Sequence, residues 1–257
     1  MRPARLLALP LAATVALSAL AWAQSTVVPV PDPPPVRTVL LEVDLKGTHA
    51  GDPVRGKAKA AACAACHGPE GRPADPQYPQ LAGQHERYLA RQLALYAGGE
   101  RAGGALADTM RPFSETLSPQ DMRDVGAWFA GRRPATGVAG ELTITEGLYA
   151  GRKLHEIGQQ LYHDGDAARG LPACAACHGP TGAGNPGPPW PRVAGQSPDY
   201  NARRLHEYRD GRIWYRDRHA FDTMAQVAAP LTDVEIAALA SYLEGLHPRG
   251  DDPAPAR

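Results

Sequence analysis

A seven-residue run that occurs twice constrains this chain more than any other feature. Cys63-Ala64-Ala65-Cys66-His67-Gly68-Pro69 returns as Cys174-Ala175-Ala176-Cys177-His178-Gly179-Pro180. Each copy has the Cys-x-x-Cys-His pattern of covalent c-type haem attachment. Two thiols three residues apart lie about one helical turn apart, the separation needed to form thioether bonds with the two vinyl groups on one haem edge. The histidine that follows then sits under the iron and supplies its proximal nitrogen. A redox-active dithiol would need neither the histidine nor a second copy. A zinc site made from the two cysteine pairs would leave both histidines unexplained. All four cysteines of the chain fall in the two runs. The expected cofactors are therefore two covalently attached haem c groups, one on Cys63, Cys66 and His67, the other on Cys174, Cys177 and His178.

The start of the chain agrees with this chemistry, because c-type haems are fitted outside the cytoplasm. Residues 1–23 read as an export signal: Arg2 and Arg5 give a positive start, Leu6 to Leu20 carries no charge, and Ala21-Trp22-Ala23 is a small-x-small cleavage site. The apolar run is shorter than the roughly 20 residues a membrane helix needs, and Pro10 interrupts it. Cleavage and a periplasmic location are expected, with a retained anchor as the alternative. The remaining length suits two domains of about 100 residues each. Loss of Arg2 and Arg5 takes the formal charge from zero to minus two, and nothing in the charge pattern suggests a nucleic-acid partner.

Residues 24–51 form a proline-rich arm. Pro29, Pro31, Pro33, Pro34 and Pro35 make it extended, and Leu41, Val43 and Leu45 alternate with Glu42 and Asp44 as in a half-buried strand. A first helical domain is expected over 52–133. Asp52-Pro53 is an N-cap followed by proline at the first helical position, and Glu86 to Ala97 reads as a helix with Tyr88, Leu89, Leu93 and Tyr96 on one side. Gly98, Gly99, Gly103 and Gly104 mark a loop leading to Met110, and Ser118 caps a last helix through Phe129. After a linker at 134–145, a second domain occupies 146–248, opening with a helix from about Glu146 to His163. Residues 249–257 read as a disordered tail. The expected fold class is all-α: two tandem domains, each built around one haem.

The second domain repeats the first. Tyr78-Pro79-Gln80-Leu81-Ala82-Gly83-Gln84 matches Trp190-Pro191-Arg192-Val193-Ala194-Gly195-Gln196 at an offset of 112, and Asp108-Thr109-Met110 matches Asp222-Thr223-Met224 at 114. The repeat singles out distal iron ligands. Met110 and Met224 occupy matching positions, 43 and 46 residues after their histidines, in what read as loops. Met122 matches Ile236 and shares a helical face with Val125 and Phe129, the pattern of a core residue. A thioether suits low-spin haem iron and raises its potential. The metal ligands expected are thus His67, Met110, His178 and Met224. None of the seven histidines outside the motifs has a histidine at its repeat position, and none is assigned to iron.

In its motif order the chain resembles the di-haem cytochrome c4 family. The residues that carry the likeness are the two Cys-Ala-Ala-Cys-His-Gly runs, the two Pro-x-Leu/Val-Ala-Gly-Gln segments and the two methionine segments with their final helices. The likeness covers about Asp52 to His247; the arm and the tail are additional. It implies that the carbonyls of Pro79 and Pro191 hold Nδ1–H of His67 and His178, leaving Nε2 for iron. It also implies that Gly56 and Gly158 mark close helix crossings, against Trp128 and Tyr242. Finally, it implies electron donation from a quinol-oxidising cytochrome complex towards a terminal oxidase, with redox proteins as partners and an association with a membrane respiratory complex as one form of that partnership.

With both irons six-coordinate no position is open to a small-molecule substrate, so the chain reads as a carrier and not an enzyme. One alternative is a cytochrome subunit docked on a periplasmic dehydrogenase, which the arm could serve. Another is a di-haem enzyme of the peroxidase or thiosulfate dehydrogenase type. A peroxidase needs a displaceable ligand, and a thiosulfate dehydrogenase of the known kind uses a cysteine ligand that this chain cannot spare. Charge separates the halves. Residues 24–137 hold 13 Lys and Arg against 12 Asp and Glu, residues 138–257 hold 12 against 15, yet Arg203, Arg204, Arg209, Arg212, Arg216 and Arg218 crowd one stretch of the second half. A basic cluster near the second haem would raise its potential, because positive charge disfavours ferric iron; a solvated helix face is the plainer reading.

Overall fold

The computed structural model describes residues 45, 47–102, 105–187, 190–211 and 219–248, without the side chains of 219–221. The segment expected to be an export signal, most of the arm, Arg212, Arg216 and Arg218, and the expected tail lie outside the described residues.

Among the described residues ten α-helices run in chain order: α1 (Pro53–Lys59), α2 (Ala64–His67), α3 (Glu86–Ala97), α4 (Ala105–Glu115), α5 (Pro119–Ala130), α6 (Leu154–Asp164), α7 (Ala175–His178), α8 (Pro198–Arg209), α9 (His219–Ala228) and α10 (Asp233–Gly245). Among the described residues extended pairing is limited to isolated bridges such as Thr143 with Lys153, so the fold class is all-α. No described helix is long and apolar enough to cross a membrane.

Each half packs its first and third helices on its last. In the first half α1 and α3 lie on α5, and in the second α6 and α8 lie on α10. Leu89, Ala90 and Leu93 of α3 meet Met122, Val125 and Phe129 of α5 in one core. Ile157, Leu161 and Tyr162 of α6 meet Ile236, Leu239 and Leu243 of α10 in the other. Met122 is 4% exposed, as its helical spacing with Val125 and Phe129 requires.

The helix crossings depend on two glycines. A Cβ on Gly56 would fall 1.9 Å from the carbonyl oxygen of Asp124 and 3.1 Å from the Cβ of Trp128. One on Gly158 would fall 2.1 Å from the oxygen of Ala238 and 2.7 Å from the Cβ of Tyr242. Only glycine lets the backbones approach so closely, and both contacts are the ones the family likeness implies.

Capping follows the sequence. The Asp52 carboxylate accepts from the Val54 and Arg55 N–H groups. Ser118 with Asp121, and Thr232 with Glu235, form matching capping boxes on α5 and α10. The 134–145 segment is tied to the second half: Gly137 N–H donates to the Glu244 carbonyl at 3.1 Å and Gly140 N–H to Ser241 Oγ at 2.9 Å. The described end of the arm rests on the first half, with Leu45 against its core and His49 N–H donating to Gln120 Oε1 at 2.8 Å.

Two expectations need correction. The helix expected from Glu146 begins instead at Leu154. Gly151 takes φ +84°, and Leu154 N–H donates to the Leu142 carbonyl at 2.8 Å, so the chain doubles back before the helix can start. Met110 and Met224 lie on helices α4 and α9, not in loops. Ala105, Leu106, Ala107, Met110 and Arg111 are good helix formers, and the Thr109 hydroxyl donates back to the Ala105 carbonyl at 2.7 Å. The helix continues past Pro112, which lacks the N–H that would otherwise bond the Asp108 carbonyl.

Candidate functional site

Both Cys-x-x-Cys-His runs end in a single helical turn, α2 and α7, with the histidine as its last residue. All four cysteines are free of disulfides. Burial pushes the thiols of Cys63 and Cys177 up, and that of Cys174 up to about 12. His67 is buried and His178 half-buried.

The chain then turns so that a proline carbonyl faces each histidine. His67 Nδ1 lies 2.9 Å from the Pro79 oxygen, and His178 Nδ1 lies 2.9 Å from the Pro191 oxygen. A carbonyl only accepts, so Nδ1 must carry the proton and Nε2 keeps its lone pair. Burial lowers the pKa of both imidazoles, against the raising effect of the proline carbonyl, and so favours the neutral ring, the form that ligates metal. The ring of Tyr78 stands edge-on to His67, with centroids 6.0 Å apart. Two thiols outside any disulfide, one a helical turn before the histidine and one beside it, and a neutral imidazole protonated at Nδ1 make up the donor set a c-type haem requires. The residues therefore fit the group, twice.

The methionines singled out by the repeat are both half-buried, and Met110 packs against the first core. The matching tyrosines Tyr88 and Tyr200 are half-buried close to Arg101 and Arg204. Burial pushes the Tyr200 phenol up, but the Arg101 and Arg204 guanidiniums outweigh it and hold the phenol below its usual range. Burial and the neighbouring tyrosines push the Tyr88 phenol well up. Arg101 is 8% exposed and stacks on Tyr96, 4.6 Å from the ring centroid. Three arginines of the crowded stretch are ion-paired: Arg203 and Arg204 with Glu207, Arg209 with Asp210 and Asp233.

Sequence reasoning missed the roles of Gln84 and Gln196. Both are buried, 6% and 7% exposed, and each reaches across to the other half. Gln196 Oε1 accepts from Gln80 N–H at 2.7 Å, and its Nε2 donates to the Gln80 carbonyl at 3.1 Å. Gln84 Oε1 accepts from Arg192 N–H and its Nε2 donates to the Arg192 carbonyl, both at 2.9 Å. Their recurrence at the 112-residue offset was the available signal.

The family model for cytochrome c matches residues 53–131 and again 155–247. The chain is 38% identical to cytochrome c4 of Azotobacter vinelandii over 217 residues, which span 82% of this chain and 97% of that one. A thiosulfate dehydrogenase electron acceptor of Thiomonas intermedia is 33% identical, with 72% of this chain and 78% of that one covered. Among solved structures, reduced recombinant cytochrome c4 from Pseudomonas stutzeri superposes with a TM-score of 0.66 at 36% identity, over 77% of this chain and all of that one. Two family matches, each containing one complete attachment motif, and relatives of nearly the same span lead to one conclusion: the chain belongs to the cytochrome c4 family of electron carriers, two cytochrome c domains in tandem with two covalently attached haems.

Proposed function

We propose that this chain is exported to the periplasm and carries electrons from a quinol-oxidising cytochrome complex towards a terminal oxidase, with His67 and Met110 on one iron and His178 and Met224 on the other. The observation that carries the ligation is the twofold repetition of one geometry. Each histidine is held by a proline carbonyl at 2.9 Å, and each half has one methionine at the matching position. The bound haem supplies the one-electron ferric/ferrous couple. The protein's part would be to offer Nε2 of His67 and His178 and the thioethers of Met110 and Met224 to the two irons, beside the apolar cores that α3 and α5 in one half and α8 and α10 in the other help to form.

With two protein ligands on each iron the chain offers no site to a small-molecule substrate, which is why it reads as a carrier and not an enzyme. Carbon monoxide and cyanide test this directly. The reduced protein is expected to leave carbon monoxide unbound near neutral pH; rapid binding at either haem would establish an open position and an enzymatic role.

A second reading has one specific support, the likeness to a thiosulfate dehydrogenase electron acceptor. In that case the donor is a periplasmic dehydrogenase. Stopped-flow reduction by a quinol-oxidising complex and by such a dehydrogenase separates the two, because the physiological donor reduces the protein at a rate that saturates and falls with salt.

A further inference from the structure

The peptide group between Pro79 and Gln80 makes two hydrogen bonds with different owners. Its C=O accepts from His67 Nδ1 at 2.9 Å. Its N–H donates to Gln196 Oε1, in the other half, at 2.7 Å. The Pro191–Arg192 peptide repeats this with the halves exchanged: its C=O accepts from His178 Nδ1 at 2.9 Å and its N–H donates to Gln84 Oε1 at 2.9 Å. In each case the glutamine amide also donates to the carbonyl of the residue it accepts from, at 3.1 Å for Gln196 and 2.9 Å for Gln84. That second bond fixes the orientation of the amide, so its oxygen cannot turn away from the peptide N–H.

We propose that Gln196 and Gln84 are crosswise positioning residues: each sets, through a single peptide group of the opposite half, how strongly that half's haem histidine is held and polarised. The inference rests on His67 and His178 being the iron ligands. An N–H that donates to a good acceptor makes its own carbonyl a stronger acceptor, since linked hydrogen bonds polarise one another in a low-dielectric interior. A stronger acceptor at Nδ1 gives the imidazole more anionic character and makes it a more basic ligand. A more basic ligand favours the ferric state and lowers the potential of that haem. The Pro79–Gln80 and Pro191–Arg192 groups are thus parts of the histidine sites that are completed only when the two halves are docked. The chain length between the partners, from Gln80 to Gln196, places this completion entirely in tertiary structure.

The test is a spectroelectrochemical titration of the intact di-haem protein carrying Gln196→Met or Gln84→Met, near-isosteric changes that remove the strong acceptor. The haems are assigned by repeating the titration on a Met110→His background, which marks the first. Gln196→Met should raise the potential of the Cys63/Cys66 haem by about twofold in equilibrium constant, or about 18 mV at 59 mV per decade for one electron, and leave the other in place. Gln84→Met should do the reverse. A shift confined to the haem of the variant's own half, equal shifts at both, or no shift at either overturns the proposal. Gln196→Asn and Gln84→Asn, too short to reach, serve if the methionine variants do not assemble, and the same crossed pattern is required of them. In the unmodified protein, NMR should show each histidine Nδ1 proton exchanging with deuterium in step with the amide proton of Gln80 or Arg192 in its own relay. Independent exchange also overturns it. Failure of the ligation reading would look different: the unmodified protein would then lack a low-spin six-coordinate spectrum at the haem concerned.

Discussion

Glu235 is the residue whose loss should be felt most through charge. It is 1% exposed, at the third position of α10, and every lone pair has a use. Arg169 donates from Nη2 to Oε1 at 2.6 Å and from Nη1 to Oε2 at 3.1 Å, the Tyr149 hydroxyl donates to Oε1 at 2.5 Å, and Thr232 N–H donates to Oε2 at 2.8 Å. Burial alone would raise its pKa, but the Arg169 guanidinium, the Thr232 N–H and the Tyr149 hydroxyl outweigh burial and hold it at about 2, against an ordinary 4.5. A carboxyl depressed in the folded state stabilises the fold at pH values above its unfolded pKa, and that contribution fades as the pH falls towards the folded value. At roughly 1.4 kcal/mol per pKa unit the ionised form contributes about 3 kcal/mol at pH 7 and about 1 kcal/mol at pH 3. Glu235→Gln keeps the shape and removes the charge. Guanidinium chloride unfolding of the holoprotein, followed by circular dichroism, should therefore show a deficit of about 3 kcal/mol at pH 7 in the transition of the second half, shrinking to about 1 kcal/mol at pH 3. A deficit that stays constant between pH 7 and pH 3, or one smaller than about 1 kcal/mol at pH 7, refutes the reasoning.

Other outcomes follow from the structure and from the sequence. Gly56→Ala and Gly158→Ala place a methyl about 2 Å from a backbone carbonyl and should each cost about 1–3 kcal/mol or more by thermal unfolding; a loss below about 0.5 kcal/mol would show that the helices can part freely. Met110→His or Met224→His should lower the potential of one haem and remove its share of the far-red sulfur-to-iron absorption, whereas Met122→Leu, in the core, should alter neither; a band lost with Met122→Leu would reassign the ligand. Replacing Arg212, Arg216 and Arg218 by Gln should lower the higher of the two potentials and leave the other, and equal movement of both would discard the basic-cluster reading.

Much of this fold is written in local sequence. The attachment motifs, the N-caps Asp52 and Ser118 and the extent of α3 depend on neighbours a few residues away, and the periodicity of Met122, Val125 and Phe129 already placed that face in the core. The two crossing glycines were not legible in local sequence; it was the family likeness that set Gly56 and Gly158 against Trp128 and Tyr242. What local sequence did not carry was decided elsewhere. The glycines before Met110 suggested a loop, while the helix formers Ala105 to Arg111 prevailed. Glu146 looked like a helix start, while the left-handed Gly151 and the bond from Leu154 to Leu142 deferred it. The cross-half glutamines and the Arg169–Glu235 pair join residues far apart in sequence; the glutamines left only their recurrence in the repeat as a sign, and the ion pair left none.

The central claim is that one chain carries two low-spin, six-coordinate haems that exchange single electrons. A redox titration of the purified protein followed in the visible spectrum tests it most directly, since it reports haem number, ligation and potential together. The account predicts two electrons per chain, taken up at two potentials, with low-spin c-type bands throughout and the far-red sulfur-to-iron absorption present when oxidised. One electron per chain, or a high-spin spectrum at either haem, would contradict it.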